Sequence, residues 1–201
     1  MGTESLPIIT ISREYAAGGR SVAKGLSERL SIPWYDKDFN HFASEKSGFS
    51  EEDILQEGEE MSEADKFIDS VMNSVISYVS SHDAIFKAQK EAILELSKEP
   101  CIIVGRCANL ILREAKVDTF DVFLYANNDV RIKRAMELLD ASESEAKKVM
   151  KKKDVLRSVY YKNYTHRALG DYHDYNMCID TGKIGYDATI DMLEHLIRNR
   201  K

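Results

Sequence analysis

The chain has 201 residues, 43% of them hydrophobic, with 28 Lys and Arg against 34 Asp and Glu for a formal net charge of −6. That composition supports one domain with a real core and argues against a general nucleic-acid binder, whose footprint is basic. No apolar run approaches the roughly 20 residues of a membrane span, and the N-terminus lacks a charged-then-apolar leader, so no membrane contact and a cytoplasmic location are expected.

The first strand is IITIS, residues 8–12, introduced by Pro7. It runs into the small-residue turn Ala16-Ala17-Gly18-Gly19 and then into an amphipathic helix from Arg20 to Leu30. Such a strand–turn–helix unit suits a phosphate cradle, because main-chain N–H groups converge at the turn and the helix dipole adds positive potential. Glycines between a strand and a helix also serve simply to turn the chain. Arg20 and Ser21 stand where G-x-x-x-x-G-K-[ST] places its Lys and its magnesium-binding hydroxyl. Counted back in that register, Glu14 occupies the place of the first Gly.

A second apolar run, WYD, follows Pro33, and the third, CIIVGR, follows Pro100. Proline at the first residue of a strand loses no ladder bond. More than sixty residues separate Asp36 from Pro100, and that gap holds an insertion with two or three helical segments. Its part 50–65 has eight acids and no base, which reads as a solvated face, while 67–79 and 84–99 have amphipathic helical patterns. The insertion is either an exposed helical hairpin or a flap over a substrate site. Arg106, directly after the apolar CIIVG, needs a buried anionic partner or a ligand.

Helical patterns then cover 108–114, 129–139, 142–162 and 186–198, with further strands at TFDVFLYA (119–126) and NMCID (176–180). Residues 151–167 carry six Lys or Arg, one Asp and three Tyr, and suggest a basic helix with a Tyr-rich turn before the last strand. Lys153 and Arg157 lie four apart on one helix face, so the segment is either a solvated face or a lid over phosphates. Five apolar strands separated by helices imply a parallel sheet covered on both sides, a three-layer α/β domain. Cys101, Cys107 and Cys178 lack metal-like spacing, and Cys101 and Cys178, in apolar strand runs, read as core filler.

The blocks IITISREYAAGGRSVAKGLSERLSIPWYDKDF, CIIVGRCANLILREAKVDTFDVFLYANNDVRIKRAMEL, KKDVLRSVYYKNYT and NMCIDTGKIG together resemble the cytidylate kinase-like family, related to nucleoside monophosphate kinases. The resemblance implies a single P-loop kinase-like domain over 1–201, with a five-stranded parallel sheet. It also implies an acceptor-binding insertion at about 37–80 and a helical lid at about 151–167. It further implies ATP with Mg²⁺ held by Ala16, Ala17, Gly18, Gly19 and Arg20, with Arg20 in the lysine role and Ser21 as metal ligand. Arg131 and Arg134 resemble donor-side arginines, Arg106 and Asp36 acceptor-side groups, and Arg157 with Lys153 a lid clamp acting in catalysis.

The chain departs from bacterial cytidylate kinases where acids flank the Gly-Arg pair: here Val104 and Cys107 stand there. KDFNHF, after Asp36, also lacks that family's small-residue turn and arginine. The expected activity is transfer of the ATP γ-phosphoryl group to a nucleoside monophosphate, CMP or dCMP first. A non-catalytic nucleotide sensor and a kinase of another small acceptor are the alternatives.

Overall fold

The computed structural model describes residues 6–36 and 75–200. Its centre is a sheet of five parallel strands: β1 (Ile8–Arg13), β2 (Trp34–Tyr35), β3 (Ile102–Val104), β4 (Thr119–Tyr125) and β5 (Met177–Asp180). The strand order is β2-β3-β1-β4-β5. Register is set by pairs such as Ile11↔Val104 and Ile11↔Val122, which bring the C-terminal ends of β1, β3 and β4 to one edge.

Alternation along the strands sends successive side chains to opposite faces. Ile9, Ile11, Ile102 and Val104 enter one core with α1 (Gly19–Leu30) and the C-terminal helix Tyr186–Arg198, whose buried positions include Val22, Leu26, Leu193 and Ile197. Ile8, Cys101 and Ile103 enter the other, against α2 (Val75–Leu96), α3 (Ala108–Glu114) and Tyr161. The sheet is thus covered on both faces, as the apolar strands imply.

Beyond β4 the chain forms α4 (Asn128–Leu139) and α5 (Glu143–Thr165). Asn127 caps α4 by accepting from the Asp129 N–H at 3.0 Å, and Ser142 with Glu145 forms a capping box on α5. A short helix α6 (Thr181–Ile184) and then α7 (Tyr186–Arg198) follow β5. On the interior strand β4, buried Asp121 accepts from Thr10 at 2.6 Å, Thr119 at 3.1 Å and Arg113 at 3.3 Å. Burial raises its pKa and these donors oppose that rise.

Two expectations change. The Tyr-rich part of 151–167 is no turn: α5 continues to Thr165, because Tyr160, Tyr161 and Tyr164 all find partners along a helical face. Tyr164 stacks on Phe86 with ring centroids 3.9 Å apart, Tyr160 donates to Gln89 at 2.7 Å, and Asn109 donates to the Tyr161 hydroxyl at 3.0 Å. Cys178 is exposed rather than core filler, since β5 is an edge strand and this position faces outward. The acidic stretch 50–65 and most of the insertion expected at 37–80 lie outside the described residues; from its end, α2 is described.

Candidate active site

β1 ends at Arg13, and the loop Glu14–Gly18 leads straight into α1. Ala16 (φ 61°) and Gly18 (φ 84°) are both left-handed. A left-handed residue between extended or helical ones turns neighbouring N–H groups to one side, which builds an anion-binding concavity at a helix N-terminus. Gly18 is required by more than its backbone: a Cβ there would lie 2.1 Å from the Tyr186 ring. Ala17 is buried, and its carbonyl accepts from Thr181 at 2.9 Å, fastening the loop to α6.

β3 ends in a second tight turn in which Gly105 (φ 84°), Arg106 (φ 56°) and Cys107 (φ 56°) are all left-handed. Two successive non-glycine residues in this region store strain that surrounding contacts must hold. The Gly105 N–H donates to the Ile11 carbonyl at 3.0 Å, and the Ala108 N–H to the Gly105 carbonyl at 3.1 Å. The turn points Arg106 across the Tyr160 ring, with its guanidinium carbon 5.8 Å from the centroid. Cys107 lies below, and burial pushes its thiol up to about 12, only partly offset by Arg106. It therefore stays a neutral thiol and does no carboxylate's work.

Two clefts open at this edge. One, about 300 Å³, is lined by the loop residues Ala16, Gly18, Gly19, Arg20 and Ser21 together with Arg134. The other is lined by Asp36, Arg106, Tyr160 and Leu156. Arg13, Lys153 and Arg157 line both, so three cations stand where the clefts meet. Arg157 also lies over the Tyr15 ring, 5.5 Å from its centroid.

Asp36, at the end of β2, is 8% exposed; it accepts from Arg13 Nη2 at 3.3 Å on one oxygen and from Arg20 Nε on the other. It is thus an interior carboxylate joining two guanidiniums. Arg134 lines the loop-side cleft and pairs with Glu137 at 2.8 Å.

Arg131, expected on the nucleotide side, is instead buried at 5% exposure under the loop. Its guanidinium meets Asp154 at 2.6 Å, Asn128 at 2.7 Å, the Tyr15 carbonyl at 3.3 Å and Glu14 at 3.3 Å. A cation this deep is held by carboxylates because an unpaired buried charge costs several kcal/mol. Its geometry makes it a brace for the loop.

Arg13, Glu14 and Tyr160 line the clefts and Asp154 holds the loop beside them, and sequence reasoning singled out none of the four. The available signal was the charged pair Arg13-Glu14 at the end of an apolar strand, one residue before the small-residue turn.

A curated cytidylate kinase from Methanothrix thermoacetophila is 26% identical over 196 residues, covering 96% of this chain and 99% of that one. Among solved structures, an uncharacterized protein from Eubacterium ventriosum is 30% identical with a TM-score of 0.71, covering 96% and 99% of the two chains. A shikimate kinase from Acinetobacter baumannii, solved with shikimate, shares the fold at 15% identity and a TM-score of 0.54, covering 98% and 96%. The family model described as the cytidylate kinase-like family matches residues 8–183, from the first residue of β1 into α6. It takes in both turns and the three shared cations, and the chain belongs to that family of phosphotransferases.

Proposed function

We propose that the protein transfers the γ-phosphoryl group of Mg-ATP to a nucleoside monophosphate, with CMP or dCMP the first acceptor to test. The observation that carries this reading is that Arg13, Lys153 and Arg157 line both clefts. In-line transfer requires positive charge at the junction of donor and acceptor, where negative charge is spread over the moving phosphoryl group. Alignment and charge neutralisation supply most of the acceleration in such a reaction.

In this reading the 16–21 turn holds the donor phosphates by main-chain N–H groups, with Arg20 and Arg134 at the rim. Arg106 and Asp36 line the acceptor side. Lys153 and Arg157 reach the junction from α5, Arg157 held by the Tyr15 ring. The Ser21 hydroxyl lines the donor cleft and offers a hard oxygen for Mg²⁺. Among the described residues no group of three His, Cys, Asp or Glu is gathered for a metal. That fits an ion which takes most of its ligands from phosphates and water. When bound, the ion neutralises charge on the β- and γ-phosphate oxygens.

A coupled ADP-release assay across the common nucleoside monophosphates, with a no-acceptor control, tests the reading, and CMP or dCMP should give the highest kcat/KM. Mg-ATP should also raise the melting temperature by several degrees at millimolar concentration through ligand linkage. Binding of ATP without turnover of any acceptor would point to a nucleotide sensor; turnover of a non-nucleotide acceptor would point to another small-molecule kinase.

A further inference from the structure

Arg13 and Arg20 differ in setting. The Arg13 side chain is 14% exposed and the Arg20 side chain 58%. Arg20 leaves the first turn of α1 toward Asp36 at the rim, whereas Arg13 runs from the tip of β1 through the space between the two turns. Both turns make room for it. A Cβ at Gly19 would lie 2.9 Å from Arg13 Cγ and 3.3 Å from Cδ, and a Cβ at Gly105 would lie 2.2 Å from Arg13 Nη1. Contacts under 3.0 Å at two glycines, one opening α1 and one in the turn after β3, mean that a slot for this one side chain is built from both sides of the site. Asp36 holds its far end, accepting from Nη2 at 3.3 Å.

A side chain at position 19 would therefore point into the volume that Arg13 fills. We propose that Arg13, rather than Arg20, is the cation that holds the donor's β- and γ-phosphates, its side chain filling the space into which a side chain at position 19 would point. The proposal rests on the nucleotide reading of the loop. A planar fork suits this place, since a guanidinium carries five donors and can meet a carboxylate and phosphate oxygens together. Its position on the boundary of both clefts lets the same group face an incoming acceptor phosphate.

The test is titration calorimetry with the Mg²⁺ complex of a non-hydrolysable ATP analogue, on the full chain and on variants whose melting transitions are intact. Arg13→Ala should weaken binding about 10- to 100-fold, the size of one or two charge-assisted hydrogen bonds, and Arg20→Ala by less than about threefold. If Arg13→Ala does not fold, Arg13→Met keeps the stem packed under Gly19 and removes only the charge. In Arg13→Ala with Gly19→Lys, the remaining Cβ of residue 13 lies 3.4 Å from the new one, an ordinary contact. The new lysine then enters the vacated slot and should recover most of the lost affinity.

Undiminished binding by Arg13→Ala or Arg13→Met, a larger loss in Arg20→Ala, or no recovery in the double variant would overturn the inference while leaving the nucleotide reading standing. Failure of the unaltered chain to bind the analogue would instead remove that reading, and the inference with it.

Discussion

Asp154 on α5 accepts a hydrogen bond from the main-chain N–H of Tyr15 at 2.7 Å. A carboxylate from the basic helix thus sits on the loop between β1 and α1, and its other oxygen accepts from Arg131 at 2.6 Å. The helix carrying Lys153 and Arg157 is thereby fixed to that loop.

Asp154→Asn should loosen that attachment, because it removes the charge facing a buried guanidinium. A loss of about 1–3 kcal/mol is expected, which thermal unfolding would register as a fall of several degrees. Amide exchange at Tyr15 should speed up while the β1 amides keep their protection. Unchanged melting and unchanged Tyr15 exchange would show that the contact holds nothing together.

Arg157→Ala removes one of the three cations at the cleft junction and a contact with the Tyr15 ring. It should lower kcat on the order of 10²-fold or more, while KM for ATP changes far less, as expected for a contact formed mainly in the transition state. Steady-state kinetics on the folded variant decides this. Wild-type kcat would return Arg157 to the status of a surface charge.

Gly105→Ala places a methyl group 2.2 Å from Arg13 Nη1 at a backbone position with φ 84°. The conformational strain alone costs about 1–3 kcal/mol, and Arg13 must also move. Urea unfolding should report the destabilisation, and phosphotransfer should fall further than the loss of folded protein explains. A variant as stable as the parent would show that the turn is free to relax.

The three cysteines should separate in an alkylation time course followed by mass spectrometry. Cys178 is exposed and should react first, although burial shifts its thiol somewhat upward. Cys101 and Cys107 are buried and both pushed up to about 12. Their folded pKa values lie above the unfolded value of about 8.5, so folding retains their protons. The stability they contribute is complete below about pH 8.5 and declines as pH rises toward 12. Slow labelling of both at pH 8 and a falling melting temperature above that pH are expected; rapid labelling of Cys107 would contradict its placement beneath the Arg106 turn.

Much of the fold was legible because its causes are local or periodic. The apolar runs after Pro7, Pro33 and Pro100 became β1, β2 and β3, and the helical pattern 108–114 became α3. Backbone sterics favour glycine at left-handed positions, so Gly18 beside a strand end and a helix start already marked the loop. The end of α5 was misjudged because the partners that keep Tyr160, Tyr161 and Tyr164 helical come from α2 and α3, remote in sequence. Cys178 was misjudged because apolar neighbours do not say whether a strand lies at an edge.

By itself the sequence determined a parallel α/β domain with a glycine loop between its first strand and helix, a Gly-Arg turn and a basic helix, since strand hydrophobicity, glycine placement and charge clustering act over a few residues. Only the tertiary structure decided where each arginine lies and what it meets. Arg13, Arg20, Arg106, Arg131 and Arg157 are chemically alike, and their neighbours in sequence do not distinguish them. What separates them is burial and partner: Arg131 lies among Glu14, Asp154 and Asn128, Arg20 extends into solvent, and Arg13 fills a slot between two glycines 86 positions apart. Those distances are set by strand order, which brings β1 and β3 side by side after a long excursion of the chain.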